Sequence, residues 1–518
     1  MSNLSDLLPS GGGSKTAEFV ASGTLPNGQS VILNANGTIT AVGQSTQSVP
    51  IAVPTGSTTA YTSVVVSFSK IQWDGATGRF VVVWADSSNS FYGKAMVGTV
   101  TGTSIVFSTN TYVWNSGSSR NVEFAVDPNT AGKMMIVFTQ DLGTLSGVVG
   151  TYTGTGASAS MSFGSAAVVL NYDMPGDLAI TYDKNTAGRF VIMAHAPTNS
   201  GKGIVGNIAS GSTTASMGSA VDWAGSQAAA PKPRGVDYIA YDKTADKFVT
   251  SFADNANSDY LNAIVGTISG TNSLSFGTRT ASTIVTNALT SIAVDPLRSG
   301  SFLIAYVDQP NTYTGRALVA TLSGTTVSFG TPVAFNSGSA GGAGNTNRPQ
   351  AFMGSGIQDL GAITWSIGEN PFTIKTRPFT ISGTSVSFGT TYNLLADTDH
   401  NELFSAFNPA QAGQFTTSYA QLTGTDGGDV SIGQLLVGSQ QATNLTTTNF
   451  VGMPDKAYAS GATATVAVQG GVSTNQTSLT IGSTYFVQDN GTLGTSAGTV
   501  TVEAGKAISA TSLLLKGI

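Results

Sequence analysis

The chain is 518 residues long, 40% hydrophobic and only 10% charged, with a net charge of −6, 63 glycines and no cysteine. The length and apolar share allow two or three folded domains and speak against global disorder. The acidic balance argues against a nucleic-acid-binding surface, which carries a basic excess, and the lack of cysteine removes disulfides, thiol catalysis and thiolate metal sites.

The opening, Met1-Ser-Asn-Leu-Ser-Asp-Leu-Leu-Pro9, has neither the basic nor the apolar region of a secretion signal. No apolar run in the chain approaches the roughly 18 residues of a membrane span. The expectation is synthesis in the cytoplasm without membrane insertion. Leu4, Leu7 and Leu8 precede a hinge at Gly11–Ser14. A hairpin-like stretch follows over Phe19–Leu25, Ser30–Leu33 and Thr38–Val42, with turns at Asn27-Gly28 and Asn36-Gly37; Asn-Gly is the strongest short hairpin signal. Residues 1–45 are read as an N-terminal anchor.

A repeat occupies the middle of the chain. Its first phrase is an aromatic or aliphatic residue, an acid, a short small-residue stretch with Gly, and an apolar run: Trp73-Asp74 to Trp84, Val126-Asp127 to Phe138, Tyr182-Asp183 to Met193, Tyr241-Asp242 to Phe252, Val294-Asp295 to Tyr306, and Phe407-Asn408 to Phe415. The acids Asp74, Asp127, Asp183, Asp242 and Asp295 step by 53, 56, 59 and 53 residues, and Asn408 follows after 113, two periods; Asp359-Leu-Gly361 is a degenerate copy between them. A second phrase, Val97-Gly98-Thr to Phe107, keeps step near Gly150, Gly206, Gly266, Ala320, Phe379 and Gly433. Each repeat reads as four short strands. The acid and Gly form a hairpin loop, because the carboxylate accepts backbone N–H bonds and Gly supplies a positive φ. Alternation such as Val-x-Phe suits a half-buried strand. Seven repeats of four antiparallel strands predict a seven-bladed β-propeller over 46–440, with a stacked solenoid as the competing architecture. A ring must close or leave sticky edges. Ser63–Phe68 is the expected closing strand of the last blade, with Val49–Val53 as the weaker candidate.

Residues 446–518 read as a small C-terminal β-domain: Thr463–Val468, Leu479–Ile481, Tyr485–Gln488, Thr499–Val502 and Leu513–Leu515 alternate around an Asp489-Asn-Gly491 turn. About 70 residues bury only a thin core alone.

The two ends carry a resemblance. Met1-Ser-Asn-Leu-Ser-Asp-Leu-Leu-Pro-Ser-Gly-Gly-Gly13 with Phe19–Leu25, and Tyr485-Phe-Val-Gln-Asp-Asn-Gly-Thr-Leu493 with Ala504–Gly517, resemble the termini of tail-fibre-like virion proteins of marine bacteriophages, cyanophages especially. The resemblance implies a virion location, a structural or receptor-binding role, contact with other virion proteins through the N-terminal segment, and a homo-oligomer, commonly a trimer. It carries over no catalytic residue.

The chemistry-bearing residues are few. Only two histidines exist, His195 and His400, both read as loop or strand-end residues rather than bases of a Ser-His-Asp mechanism. Gly494-Thr-Ser-Ala-Gly498 spells a nucleophile elbow without its strand-to-helix setting and reads as a turn. Asp397, Asp399 and Glu402, or Asp254 with Asp259, or Asp426 with Asp429, could offer oxygens to Ca²⁺, but none has the loop pattern of such a site; no metal or cofactor is expected. Repetition marks Asp74, Asp127, Asp183, Asp242, Asp295 and Asn408 as blade-turn residues, since a catalytic pair would be special to one repeat. Lys232-Pro-Arg234 reads as a solvated loop. Tyr92, Trp114, Tyr260, Tyr313, Trp365 and Phe372 fall in or near inter-strand loops and are the candidates for stacking on a host glycan. The expected function is therefore non-enzymatic: a phage appendage presenting a propeller for host recognition. A purely architectural virion part and a glycan-degrading spike are the alternatives.

Overall fold

The computed structural model describes residues 15–516 apart from 55–57, 76, 141–142, 172–177, 197–199, 224–230, 233, 236–238, 255–257, 287–288, 309, 312, 337–345, 355–356, 368–372, 397–399 and 422–426. Among the described residues there is no α-helix; antiparallel strands dominate. The chain divides into two compact units, Pro50–Val437 and Met1–Val49 with Gly438–Ile518.

The larger unit is built from the repeat. In its first sheet Val66–Asp74 is innermost, followed by Arg79–Asp86 and Tyr92–Thr101. Among the described residues seven such sheets follow one another. The innermost strand of each packs on that of the next, from Val66–Asp74 through Arg120–Val126, Leu178–Tyr182, Ile239–Asp242, Leu289–Val294 and Thr346–Met353 to His400–Phe407, which returns to Val66–Asp74. This is an all-β propeller, the class that the repeats predict. Its core is divided into apolar clusters, each shared by consecutive sheets. Val81, Phe124, Phe138 and Val148 fill one junction, and Val249, Ile292, Ile304 and Leu318 another.

Where the repeat predicts a single outer strand, the structure has two. Ser104–Phe107 pairs with one half of Tyr92–Thr101 and Tyr112–Ser118 with the other. The break falls where the edge meets the next sheet. A Cβ on Gly277 would lie 2.5 Å from the Thr325 carbonyl, and one on Gly330 would lie 2.7 Å from that of Thr384. The Gly after Val-x-Phe is thus a contact between blades.

The acid of the first phrase is a second such contact. Asp242 Oδ1 accepts from Thr244 and Ala245 N–H (both 2.9 Å) in its own turn, while Oδ2 accepts from Gly300 N–H (2.6 Å) in the next blade. The same bond to the next blade recurs from Asp74 to Gly132 (3.1 Å), Asp127 to Gly188 (2.8 Å) and Asp295 to Asp359 (2.6 Å). Asp183 is held by Arg189 (Nε, 2.6 Å), and Asn408 accepts from Ala410 N–H (2.9 Å). All six side chains are buried. The degenerate sixth copy is corrected in one detail. Gly354, whose N–H bonds to Leu360 as Asp127 N–H bonds to Lys133, holds the place of the acid, and Asp359 holds the place of the turn Gly, with φ +62.

The ring closes through Gln44–Pro54 and Thr59–Thr62, which complete the sheet of His400–Phe407, Gln414–Gln421 and Gly428–Thr443. The expected closing strand is therefore corrected. Ser63–Phe68 runs into the innermost strand of the first sheet, because Val66–Asp74 ends in that repeat's own acid turn, and the earlier candidate around Val49–Val53 takes the closing place.

The domain reading also changes. The N-terminal segment and the C-terminal domain, expected as separate pieces, form one unit. One sheet runs in the order Thr16–Val20, Thr463–Ala467, Phe450–Pro454, Val31–Leu33, Ile39–Ala41, and a second is built from C-terminal strands alone. The reason is burial. Val31 and Ile39 of the hairpin are fully buried in one cluster with Ala464 and Val466 of the C-terminal segment. Lys15 and the described remainder of the anchor belong to this unit; Leu4, Leu7 and Leu8 lie outside the described residues.

Candidate functional site

Antiparallel order gives the propeller two different rims. One carries the acid turns and the tight Ser-Gly-Thr turns, whose acids are consumed in structure. The other carries the loops between second and third strands and the connections from blade to blade, where length varies most and where binding residues tend to sit.

On this loop rim a second set of acids ends the second strands. Asp86 pairs with Lys94 (2.6 Å), Asp254 with Arg279 (3.0 Å) and Asp308 with Arg316 (2.7 Å), and all three acids are buried. Tyr92 and Tyr260 stand directly across the ladder from Asp86 and Asp254, and Tyr313 precedes Thr314, the partner of Asp308. The same loops hold non-glycine residues in the left-handed region: Ser90 and Phe91, Ser258 and Asp259, and Tyr313. Such conformations cost about 1–3 kcal/mol each and gather where a loop's shape serves a purpose. Burial raises the Asp86 carboxyl pKa, but the Lys94 ammonium and the Ser88 donors outweigh it and hold the acid below its ordinary range.

The fourth and fifth blades bring two of these stations together. Thr286 N–H donates to the Asp259 carbonyl (3.0 Å) and Thr286 Oγ1 to the Val307 carbonyl (3.2 Å), tying the Tyr260 loop to the strand that ends at Asp308. Tyr260 and Tyr313 are half-buried, and the Arg279 and Arg316 side chains keep 32% and 30% exposure. The rim here offers two phenol groups and two neutralised guanidinium groups. The tyrosines are legible in the sequence; the acid–base pairs are not, because their members lie 8 to 25 residues apart and meet only through strand register.

Two other candidates belong to the core. Trp114 is 5% exposed; it lies over Gly93, donates Nε1–H to the Lys94 carbonyl (2.9 Å) and meets Phe138 of the next blade at 5.0 Å. Trp365 is fully buried and meets Phe335 of the preceding blade at 5.1 Å. Neither has a face open to a ligand. The same inter-blade pairing recurs in Trp223 with Phe252 and Tyr61 with Trp84. Tyr92 stays half-buried on the rim of the first blade.

Phe372, Asp397, Asp399 and Asp426 lie outside the described residues, as do the side chains of His195, His400 and Glu402. Asp259 shapes its loop with φ +57, and Asp429 sits in the ladder opposite Tyr419. Among the described residues no three His, Asp or Glu side chains converge as a metal site would require. No described helix is long and apolar enough to cross a membrane. Gly494 ends a two-residue strand paired with Phe486 and Val487.

No family model matches the chain, and no curated protein matches it in sequence. Solved structures of similar fold include the BP39L lectin of Burkholderia pseudomallei, with TM-score 0.49 and 10% identity over 72% of this chain and 97% of that one. A second is the lectin of Aleuria aurantia bound to Fucalpha1-6GlcNAc, with TM-score 0.38 and 12% identity over 63% and 96%. A third is the NanB sialidase of Streptococcus pneumoniae, with TM-score 0.39 and 10% identity over 72% and 68%.

Proposed function

We propose that this chain is a non-enzymatic component of a phage particle, a tail fibre or tail-associated appendage, whose propeller binds a host-surface glycan at the loop rim of the fourth and fifth blades. The observation that carries the binding reading is the Tyr260–Tyr313 station with Arg279 and Arg316. Each guanidinium is paired with a buried carboxylate, so it presents N–H donors with little net field. Donors of that kind suit hydroxyl groups, and a half-open phenol ring offers an apolar face beside a polar tip. The virion placement, the contact with other virion proteins and the trimer rest on the resemblance of the two ends.

The test is adsorption of the purified full chain to host cells and to a glycan array. The Tyr260→Ala, Tyr313→Ala double variant loses at least about tenfold in affinity, the worth of about 1.4 kcal/mol, while its melting temperature stays within a few degrees. Binding changes little between about 50 and about 500 mM salt, because a neutralised pair has little long-range field to screen. Unchanged adsorption of the double variant removes the site. Absence from the peptides of purified particles removes the virion reading.

A further inference from the structure

The unit formed by the two chain ends contains a cavity of about 520 Å³ between residues 26–29, 476–479 and 490–493. Its lining carries no charged side chain. Four amides stand around it, and each is anchored by one end only. Gln29 Nε2 donates to the Val42 (2.6 Å) and Asn490 (3.0 Å) carbonyls, and Gln476 Nε2 donates to the Gly28 carbonyl (3.0 Å) and Ser473 Oγ (2.9 Å). Asn27 Oδ1 accepts from Asn475 Nδ2 (2.6 Å), and Asn490 Oδ1 accepts from Thr492 N–H (3.1 Å) and Oγ1 (2.7 Å). Among the described residues the opposite ends have no partner. Two acceptors, on Gln29 and Gln476, and two donors, on Asn27 and Asn490, are thus held in place with unused capacity.

The wall between them is fixed rather than loose. Leu479 N–H bonds to the Ala510 carbonyl (3.0 Å) and Thr480 N–H to Tyr485 Oη (2.9 Å). Between Gln476 and these anchors Ser478 is kept at φ +58, a conformation that persists only where its surroundings impose it. Leu479 and Tyr485 supply an apolar base.

We infer that this cavity is a binding site for a neutral saccharide. A sugar presents adjacent hydroxyls, each both donor and acceptor, beside a C–H face. That matches paired amide donors and acceptors over an apolar base. A carboxylate or phosphate ligand would find no cation in the lining, and a purely apolar ligand would make no use of the four amide ends. The site lies wholly within the terminal unit and does not depend on the propeller rim.

The experiment is ligand-observed saturation-transfer NMR on the full chain. The probes are D-glucose, D-galactose, D-mannose and N-acetylglucosamine, with N-acetylneuraminate as the charged control. At least one neutral sugar receives saturation. The signal is lost in Thr477→Trp, which fills the mouth from an exposed position, and the dissociation constant rises about tenfold in Asn490→Ala, which removes one donor. It persists in the Tyr260→Ala, Tyr313→Ala double variant. Should Thr477→Trp misfold, the weakened binding of Asn490→Ala, also at an exposed position, carries the test. Binding of no neutral sugar, binding of the charged control alone, or binding indifferent to both terminal-unit variants overturns the assignment.

Discussion

At the scale of single residues, the repeated acids show one carboxylate serving two blades. One oxygen closes its own turn and the other accepts an N–H from the next at Asp127, Asp242 and Asp295, while at Asp74 Oδ2 takes both the Arg79 guanidinium of its own turn and the Gly132 N–H of the next blade. Removing such an acceptor leaves buried N–H groups dry, at about 1–3 kcal/mol each. Asp242→Ala is expected to lower the unfolding free energy by about 3 kcal/mol, and Asp242→Asn, which keeps one acceptor, by less; urea denaturation measures both. Tyr152, buried beside Asp74, has its phenol pushed far above its ordinary range and takes no part in neutral-pH titration. Asp86 adds an acid sensitivity of defined sign. Its folded pKa lies below the ordinary 3.8. Its stabilisation is therefore full above the unfolded value and is lost as pH falls through the folded one. Asp86→Asn flattens the acid limb of the stability profile below the ordinary carboxylate range, as read by thermal melts across pH.

At the scale of strands, the Gly of the second phrase has a partner invisible in the linear order. Phe80, Phe190, Phe248 and Phe415 lie across the ladder from Gly98, Gly206, Gly266 and Gly433, and a methyl on any of these glycines would overlap the ring. In the sixth blade the pair is inverted, Gly361 opposite Phe379. That explains why Phe379 stands where five other copies have Gly; the remaining copy sets Ala320 opposite Phe302. The inversion shows that the ladder asks for one large side chain and one small residue, in either order. Gly266→Phe alone therefore costs at least about 3 kcal/mol by overpacking. Adding Phe248→Gly returns most of it, a coupling that a double-mutant cycle in urea detects. The same logic bounds what was legible. Period, turns and strand class were readable because each is local. The roles of Trp114 and Trp365 were not, because a residue beside a loop in sequence reads as exposed until register places Gly93 beneath one and Phe335 against the other. The pairing of Asp254 with Arg279 was hidden for the same reason.

At the scale of the whole chain, closure depends on residues far apart in sequence. Ala52, in the closing strand, is fully buried in a cluster with Phe352, Leu360 and Phe415. Ala52→Asp sets an unpaired charge there, and such groups cost several kcal/mol or force protonation. The expected result is a drop of at least about 10 °C in melting temperature, with an unpaired edge that promotes association; calorimetry and light scattering read the two effects. That the ring would need an N-terminal strand was foreseeable from the missing outer phrase of the last repeat. Which strand it would be was not, since Ser63–Phe68 and Val49–Val53 are both apolar and only the acid turn assigns the first to its own blade. The shared terminal sheet has a consequence for biosynthesis. While the ribosome is still working, Thr16–Val20 and Val31–Leu33 wait for partners encoded beyond residue 449. Every emerging copy therefore carries an unfinished edge until residues 450–467 have emerged, and a chain terminated before them never completes that sheet.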